Sequence, residues 1–198
     1  DYGHEASGRA DDVAADIENT CAEFILTVGD NCYYPVGNQL DRCVGQFYSK
    51  WIYPYFGNYA TPAVNENRFF AAMGNHDYEQ DVELYYWDYF TLPGEGCPGE
   101  PDVCNERFYT VRKGEVEFFI INSNSEETEG NTSNSPQAVW LQNALAVSDA
   151  KWKLVFMHHA PYTSGIGHGG SSVRRWPDCT WGADVVLAGH DHVYERLT

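Results

Sequence analysis

Four short polar strings concentrate the side chains that bind metals: "GDNCY" at 29–33, "GNHD" at 74–77, "MHHAP" at 157–161 and "AGHDH" at 188–192. They offer Asp30, Tyr33, Asn75, His158, His190 and His192, and Asp1 stands at the start of the chain. This is a set of oxygen and nitrogen donors without thiolates, suited to iron, manganese or zinc. It is too large for one tetrahedral site. Shared between two ions by a bridging Asp30, it would hold them roughly 3.5–4 Å apart, the spacing at which the attacking and leaving oxygens of a phosphoryl group are both stabilised. Each piece alone has an ordinary reading: an aspartate after a strand as a turn or cap residue, "GNHD" as a tight turn, Tyr33 as packing, His158 as a hydrogen-bonded histidine. Their recurrence at four strand ends favours the metal.

The strings must be positioned by what precedes them. "EFILTVGD" and "RFFAAMGNHD" read as apolar strands running into polar punctuation, and further strands are expected at 152–157 and 184–188. Residues 107–122 read as a hairpin turning at Lys113-Gly114. Helices are expected at 10–19, 39–51 and 82–90, and Ser135-Pro136 opens another through about 147 by its serine cap and proline at the first helical position. Alternating helices and buried strands give an α/β fold with some antiparallel pairing. In such sheets the carboxyl ends of the strands share one edge, where ligands bind. All four strings can therefore line one site.

Composition narrows the partners. The chain of 198 residues suits one domain, taken as 1–198, and contains no apolar run long enough to cross a bilayer. Its formal net charge of −17 repels polyanions, so neither nucleic acid nor membrane is expected as a partner. Six cysteines lack C-x-x-C spacing, which favours disulfides over a thiolate zinc site. Cys97 and Cys104 flank a Pro/Gly loop and can pair, while Cys21, Cys32, Cys43 and Cys179 allow three pairings. With the sequon at Asn131, these point to an extracellular or periplasmic protein. The opening on "DYGHEASG" without a preceding strand, and the stop soon after His192, lead us to expect that flanking first and last strands are missing.

The ordered blocks "DYG", "GDNCYY", "GNHD", "VFMHHAP" and "GHDHVYER" resemble the calcineurin-like metallophosphoesterase superfamily, and within it the purple acid phosphatases. Gly3, where other members carry histidine, and Tyr33 in the second block select that branch. The resemblance implies an α/β-β/α sandwich of mixed sheets with the metal site at the carboxyl ends of strands. It implies Fe(III) on Asp1, Asp30, Tyr33 and His192, with Asp30 bridging to a divalent ion (zinc, manganese or iron) on Asn75, His158 and His190. The two histidines of "GHDH" thus go to different metals, with Asp191 between them not a ligand. The first histidine after the strand, His158, is the implied ligand, leaving His159 to face the cleft or pack beside it. His76 and His168 are the implied substrate-contacting histidines, His76 being the first choice for general acid or oxyanion stabiliser. Asp77, Glu195 and Arg196 are left to orient ligands and pack loops, and His4 receives no role. The implied activity is acid phosphatase, hydrolysis of small phosphate monoesters by a metal-bound hydroxide. Rival readings are a phosphodiesterase or nucleotide or pyrophosphate hydrolase on the same metals, and a non-catalytic metal-containing binding module. The sequence assigns no oligomeric state.

Overall fold

The run "VEFFIIN" at 116–122 places apolar residues at consecutive positions, a pattern a strand can satisfy only if both of its faces are covered. In the computed structural model, which describes residues 10–33, 39–59, 64–94, 106–170 and 179–198, both faces are covered. Strands β3 (Tyr109–Lys113) and β4 (Val116–Ile120) form an antiparallel hairpin whose turn uses Gly114 at φ 62°. β5 (Trp152–His159) pairs with β4 in parallel and β6 (Val185–Gly189) with β5, giving the order β3-β4-β5-β6. Phe119, Ile121, Val155 and Met157 pack on one face against Ala138, Leu141 and Leu145 of the helix Pro136–Val147. Tyr109, Val111, Phe118, Ile120 and Phe156 pack on the other face into a larger core.

That second core is closed by a parallel two-stranded sheet, β1 (Ile25–Leu26) and β2 (Phe69–Phe70), together with helical residues such as Ala14, Val44, Tyr48 and Tyr86 and with Phe90 just past a helix end. Tyr109 of β3 and Tyr86 of the helix Val82–Tyr89 each donate a hydroxyl hydrogen bond to the Ala71 carbonyl, at 2.8 and 2.9 Å, fastening the larger sheet and this helix to the chain just past β2. The chain is thus a layered α/β sandwich of mixed sheets with parallel and antiparallel pairing, the architecture that the sequence resemblance implies. β1, β2, β4, β5 and β6 each run into polar residues.

Local chemistry sets the helices. Ser135 Oγ accepts the Ala138 N–H at 3.2 Å and Pro136 takes the first helical position, so 136–147 begins where the sequence indicates. The helix expected over 39–51 is three abutting pieces, a π-type turn Asp41–Gly45, a short α-helix Gln46–Tyr48 and a 3₁₀ turn Ser49–Trp51. The buried Asp41 carboxylate explains the irregular start: it accepts from the hydroxyls of Tyr55 (2.6 Å) and Tyr89 (3.1 Å) and from the Asn58 N–H (2.8 Å). Of the three open cysteine pairings, Cys32–Cys43 is present and ties the first polar string to this segment, while Cys21 is an exposed thiol. Cys97, Cys104, Asp1 and His4 lie outside the described residues.

Glu106 is buried at a left-handed φ of 72°, and its Oε1 accepts the Leu92 N–H at 2.7 Å, joining two distant stretches of chain. Burial pushes its carboxyl up from 4.5 to about 7, against the pull of the Leu92 hydrogen bond. A carboxyl whose pKa is raised on folding contributes most when protonated, and that contribution fades as pH climbs from 4.5 to about 7. Urea melts across this window are expected to show Glu106→Gln losing less stability than the wild type as pH rises; parallel profiles for the two proteins would refute the assignment.

Candidate metal centre

The first two strings are locked together by a buried aspartate. Asp77 is fully buried and its two carboxylate oxygens accept from Asn31 N (3.0 Å), Asn31 Nδ2 (2.9 Å), Cys32 N (3.3 Å) and Gly74 N (2.8 Å). Asn31 completes the lock by donating to the Ala72 carbonyl at 2.8 Å and accepting from Thr27 Oγ1 at 2.8 Å. Burial lifts the Asp77 carboxyl to about 6, with the nearby Asp30 charge adding to the rise. Asp30 itself is 1% exposed at φ 53°, and its Oδ1 accepts the His76 N–H at 3.0 Å. Burial raises its pKa, but the His158 hydrogen bond and charge outweigh that and hold it at about 2, so it stays ionised.

Two glycines make this approach possible. A Cβ on Gly74 would lie 2.1 Å from Asp30 Oδ1 and 2.2 Å from Asp30 N. Gly29 sits at φ 90°, where a Cβ would meet His158 Nδ1 at 2.6 Å. The glycines of "GDN" and "GNHD" therefore keep two loops and a histidine within contact distance.

His158 is fully buried at the end of β5. Its Nδ1 lies 2.8 Å from the Val28 carbonyl, which can only accept, so Nδ1 carries the proton. Around Nε2 stand Asn75 Oδ1 at 3.0 Å, His190 Nδ1 at 3.1 Å and Asp30 Oδ1 at 3.3 Å. A proton on Nε2 could serve one of these three, whereas a cation between them serves all. Burial drops the His190 pKa to about 4, reinforced by the histidines His158 and His168 and opposed by Asp30 and Asp191, so its ring is neutral near neutral pH, the state a ligand needs.

A second group adjoins through Asp30. The Tyr33 hydroxyl lies 2.6 Å from His192 Nε2. Burial, then the charge of Asp30 and a hydrogen bond to it, push the phenol above its ordinary range. The structure thus brings Asp30, Tyr33, Asn75, His158, His190 and His192 together, in two groups that share Asp30. Asp30, His190 and His192 all have left-handed backbones, at φ 53°, 72° and 54°. Three non-glycine residues in a disfavoured region at one locus mark a site whose geometry is imposed by its surroundings.

The histidines expected to meet substrate border these groups. The half-buried His76 ring lies 4.3 Å from the Tyr33 ring, and its Nδ1 is 2.8 Å from Glu79 Oε1, an ion-pair distance without hydrogen-bond alignment. His168 is exposed, with its ring 4.2 Å from that of His190. Its loop is pinned by the fourth string: Asp191 accepts the His168 N–H at 3.2 Å, and Glu195 accepts the Ser164 N–H at 2.9 Å. Asp191 and Glu195 therefore fasten the loop that carries His168.

Sequence reading overlooked the fifth strand end. Asn122, Ser123 and Asn124 follow β4 with the same punctuation as the other strings, yet 122–135 reads as a plain polar loop. Ser123 Oγ accepts the His159 N–H at 2.9 Å and lies 2.9 Å from His159 Nδ1, while Asn124 Nδ2 donates to the Met73 carbonyl at 3.3 Å. The sequon amide of Asn131 donates to the Asn124 carbonyl at 2.8 Å and the Ser123 carbonyl at 3.3 Å, so a glycan on that nitrogen would disrupt the loop beneath the site.

The chain belongs to the calcineurin-like phosphoesterase family, whose model matches residues 4–194. Its relatives include purple acid phosphatases. It is 23% identical to purple acid phosphatase 3 of Arabidopsis thaliana over 100% of this chain and 57% of that protein, and 25% identical to the phosphoenolpyruvate phosphatase of Allium cepa over 88% and 36%. An uncharacterized protein of Mycobacterium tuberculosis is 26% identical over 94% of this chain and 37% of its own length. The chain therefore spans well under two thirds of these relatives. Among solved structures, purple acid phosphatase PPD1 from yellow lupin seeds superposes with TM-score 0.50 at 17% identity, covering 90% of this chain and 32% of that one. GAP50, the anchor in the inner membrane complex of Plasmodium, superposes with TM-score 0.58 at 17% identity, covering 96% and 64%. With the family match, these likenesses show a metallophosphoesterase fold of mixed α/β sheets.

Gly74→Ala must displace either Asp30 or the β2 loop. It is expected to destabilise the protein by about 1–3 kcal/mol in chemical denaturation, and a variant as stable as the wild type would show that the close approach is dispensable.

Proposed function

We propose that this chain carries the binuclear centre of an acid-type phosphomonoesterase, with residues 1–198 forming one catalytic unit. The observation that carries this reading is the convergence of Asn75 Oδ1, His190 Nδ1 and Asp30 Oδ1 on His158 Nε2, an arrangement suited to a cation. Asp30, Tyr33 and His192, with Asp1 from outside the described residues, would hold Fe(III), for which carboxylate and phenolate oxygens are the matching hard donors. Asn75, His158 and His190 would hold the divalent ion, zinc, manganese or iron, with Asp30 shared. Such a pair supplies Lewis acidity toward a phosphoryl group and lowers the pKa of coordinated water.

The remaining work falls to the chain's own residues. His76 lies beside Tyr33 and His168 beside His190, positions from which both could donate hydrogen bonds to phosphoryl oxygens. His76, with one ring nitrogen turned to Glu79, is suited to carry a proton to a leaving alkoxide from the other. Asp77 fixes the backbone just after Asp30 and at Gly74, and Val28 fixes the His158 tautomer, so the donors are oriented before substrate arrives. The substrate would be a small phosphate ester, since a net charge of −17 disfavours nucleic acid. The Cys32–Cys43 disulfide supports an extracellular or periplasmic location, and none of the described helices is long and apolar enough to cross a membrane.

The test is hydrolysis of p-nitrophenyl phosphate beside bis-p-nitrophenyl phosphate by metal-loaded protein across acid to neutral pH. Monoester turnover is expected, with kcat/KM in Asn75→Ala reduced by more than the roughly 10–100-fold that loss of an outer-shell partner costs. Preference for the diester would move the function to a phosphodiesterase on the same site, and no turnover of either would favour a binding module.

A further inference from the structure

β5 does not end as a regular strand. Phe156 pairs with Leu187 and His159 with Gly189, so three steps along β5 match two along β6 and one residue is extra. Such a bulge re-aims side chains, and bulges concentrate beside active sites. In an unbroken strand consecutive side chains point to opposite faces, and His159 would follow Met157 toward the helix side of the sheet. Instead the His158 and His159 ring centroids are 4.9 Å apart, and His159 lies 4.5 Å from His190. One ring nitrogen from each of His158, His159 and His190 falls within a group no wider than 4.8 Å.

The supports of the two neighbours are alike. His158 Nδ1 is held by the Val28 carbonyl at 2.8 Å, and His159 Nδ1 by Ser123 Oγ at 2.9 Å. Ser123 is 1% exposed and is itself held by accepting the His159 main-chain N–H at 2.9 Å. A protein oxygen on one ring nitrogen, fixing tautomer and orientation, is the usual support of a metal-bound histidine. Donors roughly 2.0–2.1 Å from a zinc ion lie roughly 3–4 Å from one another, so a small side-chain movement brings three nitrogens now within 4.8 Å onto one ion.

We propose that His159 is a third imidazole donor, with His158 and His190, on the divalent side of the centre, and that it biases this position toward nitrogen-preferring ions such as zinc over manganese. The proposal rests on the metal reading of the site given above. Ser123 is its positioning residue. Imidazole suits zinc, whereas manganese is better served by carboxylate, carbonyl and water oxygens, so a third ring nitrogen shifts the preference between ions the family resemblance leaves open.

The experiment loads metal-free protein with one equivalent of Co²⁺ and counts imidazole scatterers by X-ray absorption at the cobalt edge, alongside the visible d–d spectrum and affinity by chelator competition. His159→Ala is expected to lose one imidazole, alter the d–d spectrum and bind at least about 10-fold more weakly. His159→Gln repeats the measurement if the alanine variant lacks the wild-type near-UV circular dichroism. An unchanged imidazole count and spectrum in these variants, whatever the affinity, would overturn the proposal. His158→Ala separates this failure from that of the underlying reading: it must abolish tight Co²⁺ binding. If it does not, or if the wild type binds no Co²⁺, the metal reading falls and the proposal with it.

Discussion

The site depends on one buried carboxylate that is not among the proposed ligands. Asp77 gathers N–H groups from the loops after both β1 and β2, and so fixes where Asp30 and Asn75 stand. Neither of those strands is longer than two paired residues, so the sheet itself gives the loops little registration. A charged hub that accepts several backbone donors does what a longer ladder would otherwise do. Its cost is visible in its pKa, lifted to about 6 by burial with Asp30 close by. A cation beside Asp30 would relieve part of that repulsion, so metal binding at the proposed site would be coupled to folding through these two aspartates.

From this hub the remaining geometry follows. Asp30, held low at about 2, meets His158, whose tautomer is set by the Val28 carbonyl just past β1. His190 and His192 follow β6 on left-handed backbones. Asp191 between them in the chain, with Glu195, holds the loop bearing His168. The single motif "GHDHVYER" thus supplies both site side chains and the clamp on a neighbouring loop.

Much of this was legible in the sequence, because it rests on local signals. The Ser135-Pro136 start, the Lys113-Gly114 turn and the apolar runs ending in polar strings depend on capping, turn chemistry and periodicity, which neighbouring residues determine. The coming together of the strings followed from a topological rule about strand ends. What escaped depends on long-range geometry. The Cys32–Cys43 pairing needs a distance between two loops, and the Asn131 amide is engaged by carbonyls seven and eight residues back. The turning of His159 follows from a mismatch between β5 and β6 that neither strand shows alone. Asn122, Ser123 and Asn124 were readable in principle, since they punctuate β4 as the other strings punctuate their strands.

At the centre of the proposed function stands Asp30, shared between two metals. Anomalous diffraction from crystals of the metal-loaded protein, collected on both sides of the iron and zinc edges, tests it directly. Two peaks roughly 3.5–4 Å apart are expected with the Asp30 carboxylate between them, one bounded by Tyr33 and His192 and the other by Asn75, His158 and His190. A lone peak away from Asp30, or two peaks that share no residue, would contradict that sharing.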